Sequence, residues 1–205
     1  MEVLIKNTTN SEIFTTLFQH MKLFTENLNV YFHEDKVFIQ GMDNAHVSVF
    51  EINLPKDWFD EYSLDTQTTI GINTTMLFKV LNTHDKSHNI QLKLETSDSD
   101  KLQIHLLSEN TNVVDLHYAI PLIDIDSEIM SIPETEYQGE ISFPSYTFST
   151  LIDQMKLFGE TFNIICNEEK IQMISESVDC GKMYVDIPID DLNSYAIEED
   201  ETLDL

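Results

Sequence analysis

The chain has 205 residues, 37 of them acidic and 11 basic, and a formal net charge of −26. All the bases are lysine, so no guanidinium is available for bidentate contact with phosphate or guanine. A conventional sequence-reading DNA-binding domain with its basic stripe is excluded, while 41% hydrophobic and 10% aromatic content still supplies a packed core.

The elements follow in chain order. Ser11 reads as the N-cap of a helix whose apolar residues Phe14, Leu17, Met21 and Phe24 step by 3, 4 and 3. Val30-Tyr31-Phe32 and Val37-Phe38-Ile39 flank His33-Glu34-Asp35-Lys36 as a hairpin, and His46 to Asn53 alternates as a half-buried strand. A second helix fits Thr74 to Asn82, with Met76, Val80 and Leu81 or Leu77 inward. Strands are predicted at Ile90 to Leu94, Leu102 to Leu107 and Val113 to Ile120. The order strand, helix, three strands thus occurs twice by residue 120, an α+β class with helices on one face of antiparallel sheet.

Residues 121–136 carry Asp124, Asp126, Glu128, Glu134 and Glu136 without a base, between Pro121 and Pro133. They read as a connecting loop between a domain at 1–120 and one at 137–205, with Ile125, Met130 and Ile132 spaced along it. In the second domain a helix is expected from Ser145 to Phe158, and strands near 162–166, 170–174 and 182–188. An acidic tail follows Asp190.

An internal repeat ties the halves together. Offset by 134 positions, FTTLFQHMKLFTENLNVYFHEDK aligns with FSTLIDQMKLFGETFNIICNEEK without a gap. Phe14, Leu17, Met21, Lys22 and Phe24 recur as Phe148, Leu151, Met155, Lys156 and Phe158. Two copies of one supersecondary unit at this spacing argue for two homologous domains. On that reading the second domain lacks a second helix and its last strands.

Charge is not spread evenly. The polar face of the first helix offers Thr15, Thr16, Gln19, His20 and Lys22, with no acid between Glu12 and Glu26. The second carries Lys79 and Asn82, and the third Thr150, Gln154 and Lys156 with Asp153 as its one acid. Helix faces cleared of acid in so acidic a chain suit a polyanion, although ordinary solvated helix faces give the same composition. Catalytic constellations are missing from the sequence. There is no CxxC, nucleophile elbow or glycine-rich phosphate cradle, and His84, Asp85 and His88 read as a solvent loop with no third ligand at fixed spacing. No enzyme, metal or cofactor is expected. Without a leader or an apolar run of about 18 residues, the expectation is a soluble protein of a reducing compartment.

Ordered motifs carry a family resemblance. Gln40-Gly41-Met42-Asp43 with His46-Val47-Ser48, then Phe59-Asp60-Glu61-Tyr62 and Gly71-Ile72-Asn73, are followed by Ile132-Pro133-Glu134-Thr135-Glu136-Tyr137 and Phe143-Pro144-Ser145 leading to Phe148. Together they resemble the eukaryotic-type DNA sliding clamp family, proliferating cell nuclear antigen, from Met1 to about Ile187. The resemblance implies a homotrimeric ring with helices lining the bore and sheets outside. It implies no catalysis and no cofactor, but a processivity factor for DNA polymerase in replication and repair, opened by a clamp loader and working in the nucleus. Lys22 and Lys79 match bore lysines, and the internal repeat adds Lys156. The partner pocket of the family maps onto Met42, His46 and Val47, with Met130, Ile132, Pro133 and Tyr137 from the connecting loop.

Several features depart from the family pattern. The 205 residues do not include the family's C-terminal quarter, as expected either of a fragment or of a shortened clamp, and several basic bore positions are Thr15, Thr16, Asn82, Thr150 and Asp153 here. The family's modifiable lysine falls on Glu168. Residue usage fits an AT-rich genome, such as that of a large DNA virus, where the work would proceed in the host nucleus or a cytoplasmic replication site. The competing reading is an acidic clamp-like decoy or DNA mimic that binds clamp partners without encircling DNA.

Overall fold

A computed structural model describes residues 1–95, 100–133 and 136–197, and the backbone of 203–204. The chain forms two compact units, Met1–Ser131 and Ile132–Leu205. The first contains β1 (Glu2–Ile5), α1 (Thr8–Phe24), β2 (Asn27–Phe32), β3 (Lys36–Met42), β4 (Val49–Pro55), β5 (Glu61–Ser63), β6 (Thr68–Asn73), α2 (Thr74–Leu81), β7 (His88–Lys93), β8 (Lys101–Ser108) and β9 (Leu116–Pro121). These strands build two antiparallel sheets, ordered β5-β1-β7-β8-β9 and β4-β3-β2-β6. The helices α1 and α2 pack together, and one core joins Phe14, Phe18 and Met21 of α1 to Leu77 and Leu81 of α2 and to Val30, Ile39, Ile72 and Ile104 of the sheets.

The second unit contains β10 (Gly139–Ser142), α3 (Ser145–Met155), β11 (Asn163–Cys166), β12 (Lys170–Ser177), β13 (Gly181–Pro188), β14 (Ser194–Ile197) and β15 (Leu203–Asp204). Its sheets are β10-β14 and β13-β12-β11-β15. Its core is small, with Met155, Cys166, Ile171 and Met173 buried. The repeated segment folds alike in both units, as helix, strand and antiparallel strand (α1-β2-β3 and α3-β11-β12). The α+β architecture expected from the sequence is present.

Several local expectations need correcting. Helix α1 starts a turn early: the Asn7 side chain, not Ser11, accepts from the Thr9 and Asn10 amides at 2.9 and 3.2 Å. Ser11 therefore lies inside the helix, and the buried stripe rotates to Ser11, Phe14, Thr15, Phe18 and Met21. Leu17 is only partly buried and Phe24 sits on the rim. Thr15, expected on the polar face, is inside and donates to the Ser11 carbonyl at 2.9 Å. In α2 it is Leu77, Val80 and Leu81 that turn inward, while Met76 is 45% exposed. Strand β4 begins at Val49, not His46, because a side-chain-capped loop takes residues 43–48. Helix α3 ends at Met155, which leaves Lys156 as its C-cap. The strands β5, β14 and β15 were not foreseen; β5 and β15 are too short to show a period.

Candidate partner cleft and cationic helix face

One wall of the cleft is the end of β3 and the loop after it. The Asp43 carboxylate accepts from the backbone amides of Ser48, Val47 and Ala45 at 2.6, 2.8 and 3.1 Å. These bonds, that from Ser48 first, hold its carboxyl below the usual carboxylate range. The Asp43 amide closes the loop on the Ser48 carbonyl at 2.9 Å, and the Asn44 amide reaches the Phe24 carbonyl at 3.1 Å. The loop forces His46 to a φ of 57°, a left-handed conformation uncommon for a side-chain-bearing residue. His46 is exposed and Val47 is 82% exposed, an apolar side chain held out by a fixed backbone.

The other wall is the acidic segment after β9, fastened at three points. The Ile123 amide donates to the Gly71 carbonyl at 2.9 Å, and a Cβ on Gly71 would collide with the Ile123 carbonyl, so only glycine fits there. The Asn29 amide nitrogen donates to the Ile125 carbonyl at 3.1 Å and to Ser127 Oγ at 2.9 Å. Gln40 grips Met130 in both directions, accepting from its N–H at 2.7 Å and donating to its C=O at 2.9 Å, and also donates to Glu51 at 2.8 Å. Asn29 and Gln40 are both buried, so these bonds satisfy polar groups that would otherwise be costly to enclose.

Between the walls lies a cleft of about 320 Å³, with Met42, His46, Tyr31, Ile125 and Met130 among its lining residues. The structure thus brings Met42, His46 and Met130 together around one hollow, with Val47 on the adjoining loop. Of the remaining sequence-predicted partner residues, Ile132, Pro133 and Tyr137 belong to the second unit, where all three are exposed. Tyr137 borders a separate hollow of about 310 Å³ with Ile141, Cys166 and Ile197. Burial pushes the Cys166 thiol above its ordinary value.

The helix face is built from α1 and α2. Lys22 Nζ stands 4.0 Å from the centre of the Phe78 ring, a cation–π contact that spans the two helices. Lys79 is exposed on α2. Among the described residues neither lysine makes an ion pair. The one acid of α1, Glu12, is engaged by Lys86 at 3.3 Å. Lys156 in the second unit differs, because Asp153 holds its ammonium at 2.6 Å.

The histidine pair that sequence reading dismissed as a metal site is structural. His84 Nδ1 bonds the Leu81 carbonyl at 2.8 Å, while both ring nitrogens of His88 are occupied, by the Asp85 amide at 2.8 Å and the Val114 carbonyl at 3.1 Å. Among the described residues no group of three or more His, Cys, Asp or Glu is placed to hold a metal, and no helix is long and apolar enough to cross a membrane. Sequence reading missed the fastening roles of Asn29 and Gln40. The available signal was a polar residue interrupting each apolar strand, in Leu28-Asn29-Val30 and after Val37-Phe38-Ile39.

Comparison with known proteins bears on this geometry. Residues 3–129 match the family model described as proliferating cell nuclear antigen, N-terminal domain. Over 152 residues the chain is 30% identical to the proliferating cell nuclear antigen of Chaetomium thermophilum, an alignment covering 74% of this chain and 58% of that one. It is 26% identical over 201 residues to the protein of that name from Saccharomyces cerevisiae, covering 95% of this chain and 76% of the other. The solved structure of the Thermococcus kodakaraensis protein superimposes with a TM-score of 0.87 at 16% identity, over 99% of this chain and 79% of that one.

Proposed function

The chain belongs to the proliferating cell nuclear antigen family, and from that membership we propose that it is a DNA sliding clamp: a homotrimeric ring that surrounds duplex DNA without reading it. The observation that carries the proposal is the family match over residues 3–129, which spans the α1–α2 face and all of the cleft's lining except Met130. Open sheet edges support it. Strand β9 ends the five-stranded sheet of the first unit and β13 ends a sheet of the second. An edge strand exposes unpaired backbone groups, and two different edges per chain permit head-to-tail pairing that closes into a ring.

Lys22 and Lys79 supply sequence-independent phosphate contacts from the bore, with Lys156 contributing less because of its ion pair. The absence of arginine keeps those contacts weak, which suits a protein that slides. The cleft bounded by Met42, His46 and Met130, with Val47 beside it, takes the apolar anchors of partner peptides; within the second unit, the exposed Ile132, Pro133 and Tyr137 are proposed as further partner-binding residues. Methionines give such a groove an adaptable lining. The partners are DNA polymerase, other proteins carrying clamp-binding motifs, and a clamp loader; the setting is replication and repair in the nucleus. The protein performs no catalysis of its own.

The test is native mass at micromolar concentration, combined with titration of a clamp-binding peptide. Three chains per particle with saturable peptide binding is the expected result. A monomer that still binds peptide would turn the reading toward an acidic decoy, for which the comparisons give no support.

A further inference from the structure

The face of the five-stranded sheet turned away from the core carries a row of polar side chains to which the clamp reading assigns no role. Gln91, His105 and His117 lie directly opposite one another on β7, β8 and β9, with the apolar Leu4 of β1 on the other side of Gln91. The two imidazoles end the row, with ring centres 4.7 Å apart and planes at 75°. A metal bound about 2.0–2.1 Å from an imidazole nitrogen lies about 3.2 Å from the ring centre, so two cis ligands at 90–110° need centres about 4.5–5.2 Å apart. The observed separation falls in that interval, near its right-angled end.

The protonation of His105 is set by its neighbours. Gln91 Nε2 donates to Glu2 Oε1 at 2.6 Å, and a carboxylate only accepts, so the amide is oriented with its oxygen toward the histidine. That oxygen lies 3.1 Å from His105 Nδ1, which therefore carries a proton, so that in the neutral ring Nε2 is the nitrogen with the lone pair. A carboxylate–amide–histidine chain of this kind orients a metal-ligating imidazole and raises its basicity. His117 is exposed, and its side chain makes no hydrogen bond among the described residues. Lys93 Nζ lies 3.5 Å from Glu2 Oε1, at the carboxylate end of this relay.

We propose that His105 and His117 form a two-histidine site for a divalent transition ion of tetragonal preference, Cu²⁺ above Ni²⁺ and Zn²⁺, with water completing the shell. The affinity order of the first-row ions for nitrogen donors places copper first, and a ring separation at the short end of the interval is compatible with the cis positions of a tetragonal ion. The site lies within the first unit, and both imidazoles come from one chain. Gln91 is a positioning residue, since it reaches the ion only through His105.

The experiment follows the histidine ring resonances of the full chain by NMR while Cu²⁺ is added below one equivalent. Signals of His105 and His117 should broaden first, with those of His20 and His46, both exposed, as internal controls. His117→Ala should abolish the preference, and Gln91→Leu should weaken Cu²⁺ affinity about tenfold while leaving the fold's amide spectrum intact. Parallel broadening of all exposed histidines, or a His117→Ala chain that binds as tightly as the parent, would overturn the proposal. Tighter binding of Zn²⁺ than of Cu²⁺ would overturn its geometry.

Discussion

Helices α1 and α3 carry the same sequence repeat and occupy different surroundings. Phe14 and Phe148 are equivalent positions, yet Phe14 is 4% exposed and Phe148 39%. Phe14 meets Phe18 at 5.1 Å and Trp58 at 6.3 Å within a core that includes α2, whereas among the described residues Phe148 meets one aromatic ring, Phe143 at 5.5 Å. Met21 and Met155 are buried in both copies. Lys22 and Lys156 are also equivalent, but one lies over Phe78 of a neighbouring helix and the other on Asp153 of its own segment. A repeated pattern thus specifies the helix, while the element packed beside it decides which side chains are buried and which cations are available to a ligand.

The largest expected effect separates the two phenylalanines. Phe14→Ala should cost about 3–5 kcal/mol and Phe148→Ala less than about 1 kcal/mol, read from denaturant midpoints; equal losses would break the comparison. Next comes the fastening of the acidic segment to the first unit. Gln40→Leu removes the grip on Met130 and should cost about 1–3 kcal/mol, with faster hydrogen exchange at Met130 and weaker partner-peptide binding. Charge effects are smaller. Lys22→Ala and Lys79→Ala should each lower the salt slope of DNA binding by about one, Lys156→Ala should change it little, and Asp153→Asn should make Lys156 count. The smallest effect is the pH response of the loop that holds Val47. Because the folded carboxyl of Asp43 titrates below its ordinary value of 3.8, its stabilisation is whole above that pH and is lost as pH falls toward the folded value. The amide shifts of Val47 and Ser48 should therefore move only below that ordinary value, and Asp43→Asn should remove the response.

Much of this organisation was legible in the sequence. Period-3.6 and period-2 stripes located the three helices and most of the strands, because burial on one face imposes those spacings directly. The rotation of α1 is not legible locally, since Asn and Ser are both good caps and residue type alone does not choose between Asn7 and Ser11. For the cleft, Met42, His46, Val47 and Met130 came from family motifs. What holds them is a set of contacts between residues about 90 positions apart, Asn29 with Ile125 and Gln40 with Met130, which no local period encodes. The charge arithmetic was readable in total but not in pairing: equal-looking lysines at positions 22 and 156 separate only when Asp153 is seen in contact with one of them.

The central claim is that this acidic chain surrounds DNA instead of gripping it. Retention on nicked circular DNA after loading, measured before and after the circle is cut once, tests that most directly. The account predicts a protein that stays on the circle, resists a modest rise in salt, and leaves within moments of linearisation. Equal retention on circular and linear DNA, or none on either once loaded with its partner factors, would contradict it.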